Sequence, residues 1–364
     1  MSDNLATLSV VMVGYNVKKY VADAVESVLN QQYHRLELIF VDDGSEDGTA
    51  EFLMKKYDGR ITVITTNRVG LAAARNIGAT KAGGDYLAFV DADDMVTVDG
   101  YQRMINSLNT SNSDMAAGMV ARLDDRNGKR YVSPHFKKGI KAAAKRVTIY
   151  SRPELVYDST AWNKVYRMSF YKQVGAEFPV GKLYEDIPTV MGLYLRARSV
   201  DLLTDIVYIW RLRNSGHVSI TQDRLNRTNI SDRLEMLDLT YSKLAANQDT
   251  DQIVVALNYK VLNQDLYVHI ADLGSVSELE LTEYRGLFMN FINKHDLWRY
   301  LHELPLFQRV IYQTFLGDDD ALFYKFVNIS HASKYKKVLT LLKMWYSPIV
   351  VRAVLNIGVS NGKS

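Results

Sequence analysis

The stretch Phe89-Val90-Asp91-Ala92-Asp93-Asp94 runs an apolar segment directly into three carboxylates. Crowded acids repel one another, and the pattern makes chemical sense if a divalent cation sits among them. Oxygen donors in a chain without cysteine favour Mg²⁺ or Mn²⁺ over zinc. Taken alone, this DxD is equally well explained as a helix N-cap with extra surface acids. A second acidic turn, Val41-Asp42-Asp43-Gly44-Ser45, closes another apolar run. A carboxylate there suits the imide N–H of a uracil base, and Gly44 lets the backbone turn close to a ligand, although an Asp-Gly turn is also an ordinary connection. In Val13-Gly14-Tyr15-Asn16 the Tyr15 ring could stack on a base or pack in a core. Arg75 stands in the small, apolar stretch Gly70 to Gly78. Buried there, it needs an anion, and a carboxylate or a diphosphate would both serve.

The elements that must hold these groups follow from hydrophobic spacing. Leu8 to Val13, Leu36 to Val41, Ile61 to Thr65 and Tyr86 to Val90 read as strands. Between the first two, Val17, Tyr20, Val21, Ala24, Val25, Val28 and Leu29 recur at helical spacing and form one apolar face. Asp47 to Tyr57 and Leu71 to Ala82 predict two more helices, the latter ended by Gly83-Gly84. Alternation of this kind builds a mostly parallel sheet, and ligands bind outside the carboxyl ends of its strands. Both acidic turns occupy that position. Ser113 to Leu123 is another apolar run, Asp124 to Arg146 reads as loops and a hairpin near the site, and Ile206 to Leu212 reads as a late strand. Asp186 opens an amphipathic helix.

Beyond residue 222 helical periodicity persists almost without strand or turn signals, so the expected division is a catalytic unit over residues 1–222 and a helical module over 223–364. The stretch Ser333 to Ser364 mixes Lys334, Lys336, Lys337, Lys343 and Arg352 with Leu339, Leu341, Leu342, Trp345, Ile349 and Val350. That mixture fits an anionic membrane surface, docking on the same domain, or contact with a sister subunit in a homo-oligomer.

Composition removes several classes of function. A net charge of +3 is too small for nucleic-acid binding, which needs many clustered cations. The absence of cysteine excludes disulfides, cysteine zinc sites and thiol catalysis, and fits a cytoplasmic setting. Met1 to Thr7 carries Asp3 and no basic segment, unlike a secretory signal, and no uninterrupted apolar run is long enough to span a bilayer. The expected location is therefore cytoplasmic or peripheral at the inner membrane face.

In order and spacing, Val10 to Asn16, Val41 to Ser45, Gly70 to Gly78 and Asp91 to Asp94 resemble the family 2 inverting glycosyltransferases. The likeness extends through Asn163-Lys164-Val165-Tyr166-Arg167, Phe178-Pro179 and Tyr184-Glu185-Asp186, and covers residues 7–222. It implies a GT-A fold, α/β and Rossmann-like, with a mostly parallel central sheet flanked by helices, followed here by the helical C-terminal module. It also implies that Tyr15 and Asp43, with Asp42 beside it, hold the base of a nucleotide-sugar donor. Asp91 would contact the ribose side and share a Mn²⁺ or Mg²⁺ ion with Asp93. Asp186 would be the catalytic base, with Glu185 orienting it or contacting the acceptor. Arg211 to Ser219 looks like the segment that wall teichoic acid sugar transferases close over the donor diphosphate, which implies phosphate or metal contacts for Arg213, His217 and Ser219. The implied acceptor is a polyol phosphate or glycan of the cell envelope, such as a teichoic acid or exopolysaccharide. One departure is Val13-Gly14 where the family usually has a proline before the first turn. The rival readings are a nucleotidyltransferase, which normally carries a Gly-rich triphosphate loop that Val13 to Tyr20 lacks, and a non-catalytic sugar-nucleotide-binding or assembly protein.

Overall fold

The computed structural model describes residues 6–133, 135–213, 223–317, 319–343 and 347–354. The chain divides into two compact units, Met1–His217 with Met236–Ile253, and Val218–Glu235 with Val254–Ser364. Sequence periodicity placed a single cut after residue 222. Residues 236–253 instead group with the first unit, where a Cβ on Gly192 would stand 3.4 Å from Lys243 Nζ.

In the first unit β1 (Leu8–Gly14) is buried at every position, as a strand covered on both faces must be. It pairs in parallel with β2 (Leu36–Asp42) on one side and β4 (Tyr86–Asp91) on the other, and β3 (Thr62–Thr65) lies outside β2. The crossover helices are α1 (Val21–Leu29), α2 (Thr49–Lys56) and α3 (Leu71–Lys81). Helix α1 buries Val21, Ala24, Val25 and Val28, the face that its spacing predicts. Helix α3 approaches the sheet so closely that a Cβ on Gly78 would lie 2.3 Å from Val11 Cγ1. Its Ala-rich composition makes that approach possible.

The rest of this unit comprises β5 (Met95–Val96), α4 (Gly100–Ser111), β6 (Met115–Asp124), β7 (Lys129–Val132), α5 (Phe136–Gly139), β8 (Ala144–Val147), β9 (Lys164–Arg167), α6 (Met168–Val174), α7 (Asp186–Arg196) and β10 (Val200–Leu212). Among the described residues the sheet has the order β3-β2-β1-β4-β9-β6-β10-β5, with β7 on β6 and β8 on β10. The long strands pair in parallel, including β6 with β10. Short β9 is wedged antiparallel between β4 and β6. The hairpin expected within 124–146 is β6–β7, while β8 on β10 was not expected.

Strand β9 carries Lys164, fully enclosed. Its ammonium donates to Asp158 Oδ1 at 2.8 Å, to the Thr160 carbonyl at 2.6 Å and to Asn163 Oδ1 at 2.8 Å. Burial pulls its pKa down, against the opposing pull of Asp158 and Asp186. A charge so enclosed persists only because these partners satisfy it.

Beyond residue 222 the described elements are helices: α8 (Arg227–Ala245), α9 (Asp251–Lys260), α10 (Tyr267–Ile270), α11 (Glu278–Lys294), α12 (Leu306–Leu316), α13 (Asp320–Val327), α14 (Lys334–Lys343) and α15 (Pro348–Val354). Helix α11 begins with a capping box in which Ser277 and Glu280 satisfy each other's backbone N–H. The second unit has its own core, with Phe288, Phe315 and Phe323 in ring contact. Leu341 and Val350 are buried, and Lys337 sits over the Phe307 ring at 5.0 Å. Part of the basic amphipathic stretch thus packs on protein. Among the described residues no helix is long and apolar enough to cross a membrane.

Candidate active site

The carboxyl ends of β1, β2 and β4 lie side by side, Gly14 in register with Asp42 and Val13 with Asp91. Strand addition changes direction at β1, and such a switch point is where an open α/β sheet leaves a crevice for a ligand. At Gly14 a Cβ would meet Val17 Cγ2 at 2.6 Å and the Ala92 Cβ at 2.8 Å. A side chain there would wedge apart the two turns that frame the crevice.

The neighbouring acids of the first turn differ in what they do. Asp43 accepts from Val69 N at 2.7 Å, Thr66 Oγ1 at 2.7 Å and Gly70 N at 2.9 Å. Its carboxylate fixes the 66–70 loop. Asp42 accepts from Ser45 N at 3.0 Å through Oδ2, while its buried Oδ1 has no hydrogen-bond partner. Tyr15 is half-buried beside this turn with the Arg68 guanidinium 4.3 Å from its ring centroid. Ring and cation together form one wall of the crevice.

In the second turn all three acids have arginine or tyrosine partners. Asp91 Oδ1 accepts from Arg75 Nη2 at 2.6 Å, and Asp93 Oδ2 accepts from Arg213 Nε at 2.6 Å. Asp94 accepts from the Tyr208 hydroxyl at 2.8 Å and from Arg211 N at 2.8 Å. Burial, with Asp93 and Asp91 close by, raises the Asp94 pKa well above the usual carboxylate range. Burial likewise raises Asp93, opposed by Arg213. The Arg211 side chain also donates to the Asp93 carbonyl at 2.9 Å, to Asp125 at 3.0 Å and to Asp23 at 2.8 Å. It fastens the end of β10 to the acidic turn.

Arg75 joins the two halves of the unit. It is almost fully buried on α3 and donates to Asp91 at the end of β4 and to Glu185 just before α7. Burial works against its charge, but Asp91, Glu185 and Asp186 outweigh that and push its pKa up. Glu185 is buried as well; that burial, with Asp186 and Asp91 nearby, pushes its pKa up to about 7 against the pull of Arg75. Asp186, the first residue of α7, is half-exposed. It follows Tyr184, which is held at φ +62°. A left-handed tyrosine costs on the order of 1–3 kcal/mol and persists where the surroundings dictate the turn.

Of the residues singled out from sequence, Asp91, Arg75, Glu185 and Asp186 come together around one guanidinium, and Arg213 comes to Asp93. From sequence a carboxylate or a diphosphate would serve Arg75; the structure gives it two carboxylates. His217 and Ser219 lie outside the described residues. Tyr208, Arg211 and Asp94 were not singled out as individual site residues, because their roles depend on how β10 is placed beside the turn. The only hint is the Tyr208/Trp210 alternation running into Arg211.

Among the described residues no group of three or more His, Asp or Glu side chains is arranged to hold a metal ion. Asp91 and Asp93 each commit one carboxylate oxygen to an arginine. Such a donor set fits Mg²⁺ or Mn²⁺ held by one or two carboxylates and completed by substrate phosphates, rather than a cage built by protein alone.

The family model described as glycosyl transferase family 2 matches residues 9–175. Over 217 residues the chain is 28% identical to glycosyltransferase GlyA of Streptococcus pneumoniae, covering 57% of this chain and 31% of that protein. Over 226 residues it is 29% identical to glycosyltransferase GlyG of the same organism, covering 59% of this chain and 73% of GlyG. The solved structure of Staphylococcus aureus TarS residues 1–349 superposes with a TM-score of 0.67 at 19% identity, over 89% of this chain and 91% of that one. That TarS fragment has also been solved with UDP and with UDP-GlcNAc. The likeness to TarS is one of GT-A fold.

Proposed function

Residues 9–175 match the glycosyl transferase family 2 model, and from that premise we propose that the protein transfers a sugar from a uridine-diphosphate donor to a hydroxyl of a cell-envelope polymer, inverting the anomeric carbon. The observation that carries this reading is the Arg75 bridge. It ties Asp91, on the donor side of the crevice, to Glu185 and hence to the Asp186 turn. An inverting transfer requires that pairing of a leaving-group side with a base side.

In this reading the acceptor oxygen bonds to the anomeric carbon on the face opposite the diphosphate. The bond from that carbon to the diphosphate oxygen breaks, and its electron pair departs on that oxygen. The Asp186 carboxylate takes the hydroxyl proton as attack proceeds. Glu185, fixed by Arg75, orients the acceptor. Arg213 exchanges Asp93 for the diphosphate and stabilises its growing charge. Asp91 and Asp93 would hold a Mn²⁺ or Mg²⁺ ion, which would further neutralise the leaving group. Tyr15 offers its ring to the base, and the Asp42-Asp43 turn supplies a carboxylate oxygen for the uracil imide N–H. Asp43 also holds the 66–70 loop beneath. The TarS fragment solved with UDP and UDP-GlcNAc supports a uridine donor, and the setting we propose is the inner face of the cell membrane.

The direct test is Asp186→Asn. Donor affinity by calorimetry should stay within about twofold while turnover falls on the order of 10²–10⁴-fold. Undiminished turnover would remove Asp186 from the role. Asp93→Asn should abolish the gain in donor affinity that Mn²⁺ gives the native protein; equal affinities with and without Mn²⁺ in the native protein would dispose of the ion.

A further inference from the structure

One face of the sheet beside the acidic turn carries a row of aromatic and cationic side chains that the transfer chemistry does not use. Tyr208 starts it, its hydroxyl bonded to Asp94 and its ring stacked on Trp162 at 4.2 Å. Two residues on, Trp210 shares that face and is half-exposed. It lies in register with Arg122 of β6, which lies in register with Tyr131 of β7. Registered neighbours project to the same side of a sheet, so Trp210, Arg122 and Tyr131 form one row across three strands. Tyr131 is 44% exposed, and the exposed Lys129 follows two residues away on the same face.

Arg122 is the unexplained member. Its guanidinium lies 4.4 Å from the Trp210 ring centroid, and its Nε is enclosed without a hydrogen-bond acceptor. Among the described residues it has no carboxylate partner, in contrast to Arg75, Arg211 and Arg213. Asp124, the acid on this face, is already held by Arg126 at 2.7 Å. A guanidinium stacked on an aromatic ring keeps its N–H fork in the plane of the stack, where it can take an oxyanion bidentately. The aromatic faces on either side suit the C–H surfaces of a sugar or polyol.

Resting on the transferase reading, we propose that Trp210, Arg122 and Tyr131 form the acceptor subsite and that its ligand is a phosphate-bearing polyol chain. Phosphate sits on Arg122, the polyol carbons lie along the rings, and the row leads from the solvent edge of β7 toward the acidic turn. The anionic chain is favoured over a neutral glycan because a half-buried guanidinium without a carboxylate partner gains more from an oxyanion than from neutral hydroxyls.

The test uses the full-length protein and a synthetic glycerol-phosphate oligomer, with a neutral oligosaccharide as the second arm. The oligomer should bind without donor and quench tryptophan emission. Trp210→Phe should lose the quench. Arg122→Gln should weaken oligomer binding by about tenfold and flatten its dependence on salt, with Arg122→Lys in between, while UDP affinity in all three stays within about twofold of native. With a working transferase, these variants should raise the acceptor KM and leave kcat at saturation nearly unchanged. Oligomer affinity unchanged by Arg122→Gln, or a loss of UDP affinity instead, would overturn the proposal and, in the second case, move Arg122 to the donor. Preference for the neutral glycan would overturn the phosphate assignment. Native protein that transfers sugar yet ignores the oligomer would sink the subsite alone. Protein that binds the oligomer through Arg122 but neither binds nor turns over a sugar nucleotide would uphold the subsite and sink the transferase reading.

Discussion

Two residues show how burial, more than residue type, decides what a side chain does. Arg75 serves the enclosed Glu185 and the partly exposed Asp91 at once, so its removal leaves a buried acid without its counter-charge. Arg75→Met should cost on the order of 3–5 kcal/mol in denaturant unfolding, the usual penalty for breaking a buried pair. Glu185 has its pKa raised to about 7, so the folded state binds its proton more tightly than the unfolded chain does. Between the ordinary glutamate value and about 7, folded molecules therefore hold more protons, and stability falls as pH rises through that window. Glu185→Gln fixes the neutral form. The melting temperature of the native protein should drop more steeply between pH 5 and pH 7 than that of this variant, about 2–4 °C for each kcal/mol lost; parallel curves would refute the shift. Asp42 and Asp43 illustrate a further point, since adjacent identical side chains divide into one that binds loop backbone and one that keeps a buried oxygen without a hydrogen-bond partner.

Among the elements, α3 packs so closely on β1 at Gly78 that an added Cβ would clash with Val11. Gly78→Ala should cost about 1–3 kcal/mol by overpacking against Val11, measured by urea unfolding. In the second unit, Ser277→Ala removes the cap of α11 and should cost about 1 kcal/mol. The periodic part of this architecture was legible in the sequence. Strands β1 to β4, helices α1 to α3 and the two acidic turns follow from local alternation and spacing, which depend on near neighbours. What escaped was pairing between distant segments. The insertion of β9 between β4 and β6, the docking of β8 on β10, and the meeting of Arg75 with a carboxylate 110 residues away are set by register across the sheet. A short strand such as Lys164–Arg167 carries too few residues to announce its neighbours. Arg211 was read as a site flank, and its anchoring to Asp23, Asp93 and Asp125 became apparent only once β10 was in place.

For the whole molecule, the partition into units makes its own prediction. A fragment ending at residue 253 retains the stretch that covers Gly192 on α7, whereas one ending at residue 222 leaves that face to solvent. The longer fragment should melt higher and stay monomeric in scattering measurements, and equal behaviour of the two would contradict the grouping. The enclosed Lys164 bears on how the chain reaches this topology at all. A slip of β9 by one residue would turn the lysine to the opposite side of the sheet, away from Asp158. The misassembled chain would then have to bury a bare cation, at several kcal/mol, or give up the strand. A single ammonium thereby acts as a proofreading device, penalising near-miss arrangements of a strand whose own sequence is too short to specify its place.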